Sequence, residues 1–242
     1  FDREDGEVGN DWILGDNANA SIQDKKVVLC RKTPATASTE VKTAYVTESA
    51  VMRPQSEASL NQIVSAKFKL AETARKANVG GALIARCQGE KATNDNCYRM
   101  YARMGYDGGD NSLSDIVLYN SKNQILYSSK TSNTSPSVYC DITYKLQLEV
   151  ENVSETTAKL TMSFYQISNS GEENRLFNQV VYDADTNLQK AGTAGFSEFT
   201  IYGHIMNVDN FKYSTSDKVA STSVDTVYNC VEAESKYVYK HN

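Results

Sequence analysis

Apolar and polar residues alternate along most of this chain in short runs, and that period of two predicts strands rather than helices. Leu146, Leu148 and Val150 alternate with Gln147, Glu149 and Glu151. After the polar turn at 154–157 the mirror pattern Leu160, Met162, Phe164 follows. The two halves read as an antiparallel hairpin with one buried face. Similar runs, bounded by Asn, Asp, Gly and Ser, predict strands over 26–31, 43–52, 62–70, 80–87, 97–106, 115–119, 125–129, 144–153, 158–167, 178–182, 195–201 and 204–213. Twelve such strands suit two sheets packed face to face, an all-β antiparallel sandwich. Helical patterning is confined to 70–77 and to one turn over 185–190, with Asp183 or Asp185 as its cap and Gly192 as its stop.

The 242 residues fit one domain, because all-β sandwiches reach about 200–250 residues as a single unit. No apolar run approaches the roughly 20 residues of a membrane-crossing helix, so no membrane span is expected. The opening residues read as part of the fold rather than as a secretory leader. Twenty-five basic against thirty acidic residues leave a net charge of −5 with no concentrated basic surface, which argues against nucleic acid as a partner. Residues 214–223, rich in Ser and Thr, read as a connector to a short C-terminal extension over 224–242. That extension is suited to adding an edge strand pair or contacting a neighbouring domain or subunit.

Five cysteines, Cys30, Cys87, Cys97, Cys140 and Cys230, form no Cys-x-x-Cys pair and have too few histidines for a zinc site. Cys87 and Cys97 stand at facing ends of two predicted strands joined by the polar loop 88–96, and a cross-strand disulfide is expected there. The odd count leaves a thiol free or intermolecular. This usage points to an extracellular or cell-surface protein, with a virion protein carrying buried thiols as the alternative.

Signals for catalysis are sparse. His204 and His241 are the only histidines, and no Gly-x-Ser-x-Gly elbow or His-Glu-x-x-His helix is present. Glu149 and Glu151 lie two apart on a strand, about 6.5–7 Å along it. Side-chain rotation can bring such a pair to the roughly 5–5.5 Å of a retaining glycosidase. A solvated strand face is the plainer reading of that pair. Carbohydrate binding asks for less, namely an aromatic face and a few fixed polar groups. In the strand 97–106, Tyr98, Met100, Ala102 and Met104 fill one face, while Arg99, Tyr101 and Arg103 line the other, with Arg86 across the hairpin. Such a stripe suits an acidic glycan, with Tyr101 stacking and the three arginines bonding hydroxyls or a carboxylate. The competing reading pairs these arginines with neighbouring carboxylates. The acidic group Asp107, Asp110, Asn111 and Asp115 lacks the spacing of a calcium loop and reads as a solvated turn.

Three short motifs carry a family resemblance. Phe1-Asp-Arg-Glu-Asp-Gly-Glu-Val-Gly-Asn-Asp-Trp12, Gly192-Thr-Ala-Gly-Phe196 and Val208-Asp-Asn-Phe211 resemble the opening and closing strands of concanavalin A-like jelly-roll domains, over roughly residues 1–213. That superfamily includes laminin-G-like lectin modules, carbohydrate-binding modules, glucanases and domains of phage tails and capsids. The resemblance implies that Trp12 is a buried anchor and that a structural calcium ion joins Asp2 to Asp209, with backbone carbonyls completing about six to eight ligands. It implies a non-catalytic lectin-like or adhesion module that recognises a glycan or polysaccharide on its concave sheet. The alternatives are a structural or decoration module of a phage virion or cell-surface assembly, and a diverged glycoside hydrolase using Glu149 and Glu151. The glucanases place Glu-x-Asp-x-Glu on one strand, and here the central Asp is missing.

Overall fold

The structure, a computed structural model, describes residues 4–9, 11–32, 47–70, 79–104, 114–132, 135–200 and 206–215. Fifteen strands among them form two antiparallel sheets. From edge to edge the first sheet runs β1 (Gly6–Glu7), β3 (Ala18–Gln23), β4 (Lys26–Arg31), β15 (Met206–Thr215), β6 (Gln62–Leu70), β11 (Thr143–Asn152), β12 (Ala158–Ile167) and β13 (Glu173–Asp183). The second runs β10 (Ile125–Ser128), β9 (Asp115–Tyr119), β8 (Tyr98–Met104), β7 (Val79–Cys87), β14 (Thr193–Thr200), β5 (Val51–Met52) and β2 (Ile13–Leu14). The expected β-sandwich is therefore the architecture.

The hairpin of β11 and β12 has the register its alternation predicts, with Leu146 opposite Phe164, Leu148 opposite Met162 and Val150 opposite Leu160. These side chains point inward and are buried with Phe68, Leu83, Met100, Ile116 and Leu118 in one core between the sheets. At its centre Phe68, Tyr144 and Phe164 form a ring cluster, with Tyr144 and Phe164 stacked at 5.0 Å between centroids. Gly81 of β7 lies under the Phe68 ring, where a Cβ would sit 2.7 Å from Cγ, so a larger residue there would push the sheets apart.

The three motif segments meet in space. Trp12 packs edge-on against Phe196 at 5.4 Å and Phe211 at 5.1 Å, and those two rings lie 5.4 Å apart. A β-bulge between Asp209 and Lys212, with Asn210 at φ 48°, resets the alternation of β15 and lets Phe211 reach this cluster. The Arg53 guanidinium covers Trp12 at 4.7 Å and is held by Glu57, whose Oε2 accepts from Nε at 2.8 Å. Trp12 is thus an anchor, half-buried rather than fully enclosed.

Several elements depart from expectation. Of the strand predicted over 43–52, only Val51 and Met52 pair, Thr47 and Glu48 are helical, and 43–46 lie outside the described residues. The strand predicted over 178–182 extends to Glu173–Asp183, where exposed polar residues hide it. Strand β1 falls within the opening motif, while β2 and β3 lie outside the predicted strands, because β2 is only two residues long and β3 alternates small Ala18 and Ala20 with polar neighbours. The turn near 185–190 is a 3-10 turn over Thr186–Leu188, capped by the Asp185 carboxylate accepting from the Asn187 amide at 3.2 Å. The helical stretch 70–77 lies outside the described residues beyond Leu70, as do 216–242 of the extension. Among the described residues no helix is long and apolar enough to cross a membrane.

The expected Cys87–Cys97 disulfide is corrected by the structure, which has both as free, buried thiols. The physical reason is that each sulfur faces loop carbonyls. Cys87 Sγ donates to Gly89 O at 3.2 Å, and Cys97 Sγ to Thr93 O at 3.2 Å. The thiols thus pin the 88–96 loop by hydrogen bonds. Burial raises the pKa of both, that of Cys87 to about 11.

Two predictions follow from the packing. Phe196, 1% exposed, contacts both other motif rings, so Phe196→Ala should cost about 3–5 kcal/mol in urea denaturation followed by the fluorescence of Trp12, the sole tryptophan. An unchanged midpoint would remove the aromatic cluster from the stability account. The unfolded chain releases a thiol proton near pH 8.5, whereas folded Cys87 holds it to about 11. Stability should be full below about pH 8.5 and fall as pH climbs toward 11, with a shallower decline in Cys87→Ala. Urea midpoints that stay level across this window in the native chain would contradict the assignment.

Candidate functional site

On β8 the alternation sends Tyr98, Met100 and Ala102 into the core and Arg99 and Tyr101 to the outer face of the seven-stranded sheet. Arg99 lies opposite Ile84 on one side and Tyr119 on the other, and Tyr101 lies between Ala82 and Val117. The three polar members form a column. The Arg99 guanidinium carbon stands 5.3 Å from the Tyr119 ring centroid, and the Tyr101 and Tyr119 rings stack at 5.9 Å with their hydroxyls 3.4 Å apart. Two loops frame it. Arg99 Nη2 donates to Asn120 O at 2.9 Å and Asn123 Oδ1 at 3.2 Å, and Nη1 donates to Asn94 Oδ1.

The column differs from an open stripe. Arg99 is 0% exposed and Tyr101 3%, while Tyr119 keeps partial exposure. Burial lowers the pKa of Arg99, and its Nε has no hydrogen-bond partner. Tyr119, Asn94 and Asn123 are the members that sequence reasoning missed. For Tyr119 a signal existed, since Ile116 and Leu118 alternate with Val117 and Tyr119 and place the tyrosine on the face of Arg99.

Arg86 leaves the column altogether. Its φ of 50° and the irregular pairing of β7 with β14 between Thr193 and Gly195 turn its side chain away, and it is 0% exposed. Nε donates to Leu60 O at 2.7 Å and Nη1 to Leu188 O at 3.0 Å, while burial lowers its pKa to about 10. It borders a buried polar network. There Tyr98 Oη donates to Asp183 at 2.9 Å, Asn120 Nδ2 donates to the same carboxylate at 3.3 Å, and the Ser121 amide donates to Asp185 at 3.1 Å. Burial and the Asp183 carboxylate push the Tyr98 phenol well above its usual range. The network ties β8 and the turn after β9 to the turn after β13. Arg103 occupies the position opposite Gly80 and Asp115.

The other candidates lie apart. Asp209 is on the outer face of the eight-stranded sheet, opposite Lys67, with its Oδ1 accepting from the Asn210 amide at 2.7 Å. It lines a depression of about 240 Å³ with Lys26, Lys67, Lys69, Thr143, Ile167, Asn207 and Asn210. Asp2, expected to share a calcium ion with Asp209, lies outside the described residues. Among the described residues no group of three or more His, Cys, Asp and Glu comes together. Glu149 and Glu151 lie on the same outer face, where Glu149 accepts from Gln147 at 2.7 Å and Glu151 stands 3.9 Å from Lys159. Asp115 accepts from Ser128 and Ser129 hydroxyls at 3.0 and 3.3 Å, a local turn contact. His204, His241, Cys230, Asp107, Asp110 and Asn111 lie outside the described residues.

No protein-family model and no curated protein matches the chain. Solved structures do. A GH43 protein from Bacillus licheniformis aligns at a TM-score of 0.50 and 12% identity, over 87% of this chain and 38% of that one. The carbohydrate binding module CBM66 from Bacillus subtilis aligns at 0.45 and 9%, over 85% and 96%. A Lotus tetragonolobus seed lectin aligns at 0.47 and 10%, over 86% and 94%. At these identities the likeness is one of fold. With its two antiparallel sheets and with its opening and closing segments joined through Trp12, Phe196 and Phe211, the chain has the concanavalin A-like β-sandwich fold.

Proposed function

We propose that this chain is a non-catalytic carbohydrate-binding module, and that its contact surface is the Tyr119 end of the outer face of the seven-stranded sheet. A fold shared by binders and enzymes does not choose between them, so the site must. The observation that carries the reading is the column of Arg99, Tyr119 and Tyr101 framed by Asn94, Asn120 and Asn123. An aromatic held rigid by a buried guanidinium and a second ring offers a sugar apolar contact at small entropic cost, and the loop amides answer hydroxyls. Arg99 and Tyr101 then support Tyr119, and Tyr119 meets the ligand. The module works where glycans are displayed, at an extracellular, cell or virion surface, and gains useful strength through multivalency.

The hydrolase reading has less behind it. Glu149 and Glu151 stand on an outer sheet face and engage Gln147 and Lys159 rather than one another.

A glycan array probed at a density that permits avidity, with calcium and with chelator, tests the proposal. The native chain should bind a restricted set of glycans equally in both conditions. Tyr119→Ala, with unchanged Trp12 fluorescence, should lose about tenfold or more in affinity, the worth of one good stacking contact. A blank array, or full binding by Tyr119→Ala, would sink it.

A further inference from the structure

The outer face of the eight-stranded sheet carries a second feature, unconnected with the column. Pairing of β15 with β4 stops at Val208 opposite Val27, while pairing with β6 continues through the bulge at 209–212. Where β4 and β15 part, the depression of about 240 Å³ opens, with Lys26 on one side, Lys67 and Lys69 on the other, and Asn207, Asp209 and Asn210 from β15. It is smaller than the roughly 300–1,000 Å³ of pockets for drug-sized ligands, which suits one sugar ring rather than a long chain segment.

Its charges are poorly balanced. Lys67 lies directly opposite Lys145 on β11, an arrangement of like charges that destabilises a sheet. Lys145 is committed elsewhere, to Glu173 at 2.8 Å and over the Tyr165 ring at 5.0 Å. Lys69 shares Asp141 at 3.6 Å. Lys67 also stands opposite Asp209 on β15, yet neither Lys26 nor Lys67 makes a hydrogen bond or ion pair among the described residues, so two lysines lining this depression keep donors to spare. They do so on a chain whose net charge is −5.

We infer that this depression binds a carboxylate-bearing sugar, a uronic acid residue, with Lys26 and Lys67 bonding the carboxylate. The neutral and acidic members select a sugar over a bare anion. Asp209 repels an inorganic anion but accepts hydroxyl protons on the lone pairs that the Asn210 bonds leave. Asn207, Asn210 and the Thr143 hydroxyl add donors and acceptors, and Ile167 offers an apolar patch for C–H groups. This site is independent of the Tyr119 surface, so each stands or falls alone.

Calorimetric titration of the full chain with tetragalacturonate, with its methyl ester and with inorganic phosphate tests the inference. Tetragalacturonate should bind about tenfold or more tightly than the ester, because charge-assisted bonds to the carboxylate are lost on esterification. The double variant Lys26→Ala, Lys67→Ala should lose that preference, Lys67→Arg should keep most of it, and Tyr119→Ala should leave it intact. Asp209→Asn should weaken tetragalacturonate while strengthening phosphate. Equal binding of acid and ester, phosphate binding as tight as the uronate, or loss on Tyr119→Ala with retention in the lysine double variant would each overturn it.

Discussion

Burial of alternate side chains between two facing sheets is the constraint on which the rest of this molecule rests. Phe68, Tyr144 and Phe164 are buried at the centre of the contact, and aromatic side chains of this kind remove about 150–250 Å² each from water. At roughly 25 cal/mol per Å² that is about 4–6 kcal/mol apiece before the entropy of ordering is subtracted. The period of two follows from this, since a slip of one residue on β11 would send Leu146, Leu148 and Val150 to the solvent and Gln147 and Glu149 into the core. The outer faces are fixed by default. Whatever does not point inward on β8 and β9, including Arg99, Tyr101 and Tyr119, becomes the surface on which chemistry is arranged.

That logic explains what was legible. The hairpin of β11 and β12, the strand β6 and the capped turn at Asp185 follow from local pattern, where alternation and capping chemistry agree with the tertiary structure. The three resembling motifs are distant in sequence yet converge on Trp12, Phe196 and Phe211, because opening and closing strands must meet to finish the sandwich. What was not legible has a different cause in each place. β1 and β2 are too short to show a period. β3 relies on Ile22 with the small Ala18 and Ala20, so a single large apolar residue carries its inward pattern. The long edge strand β13 pairs on one side only, so exposed Glu173, Asn174, Arg175 and Leu176 carry no inward pattern to read.

Arg99 and Tyr101 share one strand face as the alternation predicts, and the structure buries both. Arg, Tyr and Arg on one strand face look like solvated binding groups, but burying an arginine is tolerated when protein acceptors replace water, and here they do at every guanidinium nitrogen except Arg86 Nη2 and Arg99 Nε. Leu60 and Leu188 carbonyls take Arg86, and the Asn120 carbonyl with the Asn94 and Asn123 side chains takes Arg99. Nothing local in the sequence marks the positive φ at Arg86 that sends its side chain toward Leu188. The same holds for the cysteines: strand pairing placed Cys87 and Cys97 near each other, while loop carbonyls from Gly89 and Thr93 settled the direction of each sulfur.

The two outer faces consequently differ in what they hold in reserve. On the seven-stranded sheet most of the guanidinium donors of Arg99 are already used inside the protein, so what remains for a ligand is shape, a rigid Tyr119 and loop amides. On the eight-stranded sheet the cations Lys26 and Lys67 make no ion pair among the described residues, and their charge is available at contact. Its reach is short, because at physiological salt fields decay over about 8 Å and the chain as a whole is acidic. An acidic glycan is therefore not drawn in from a distance by net charge. Selection falls to the contact geometry, a single contact of this size is weak, and affinity must come from repetition of the ligand or of the module.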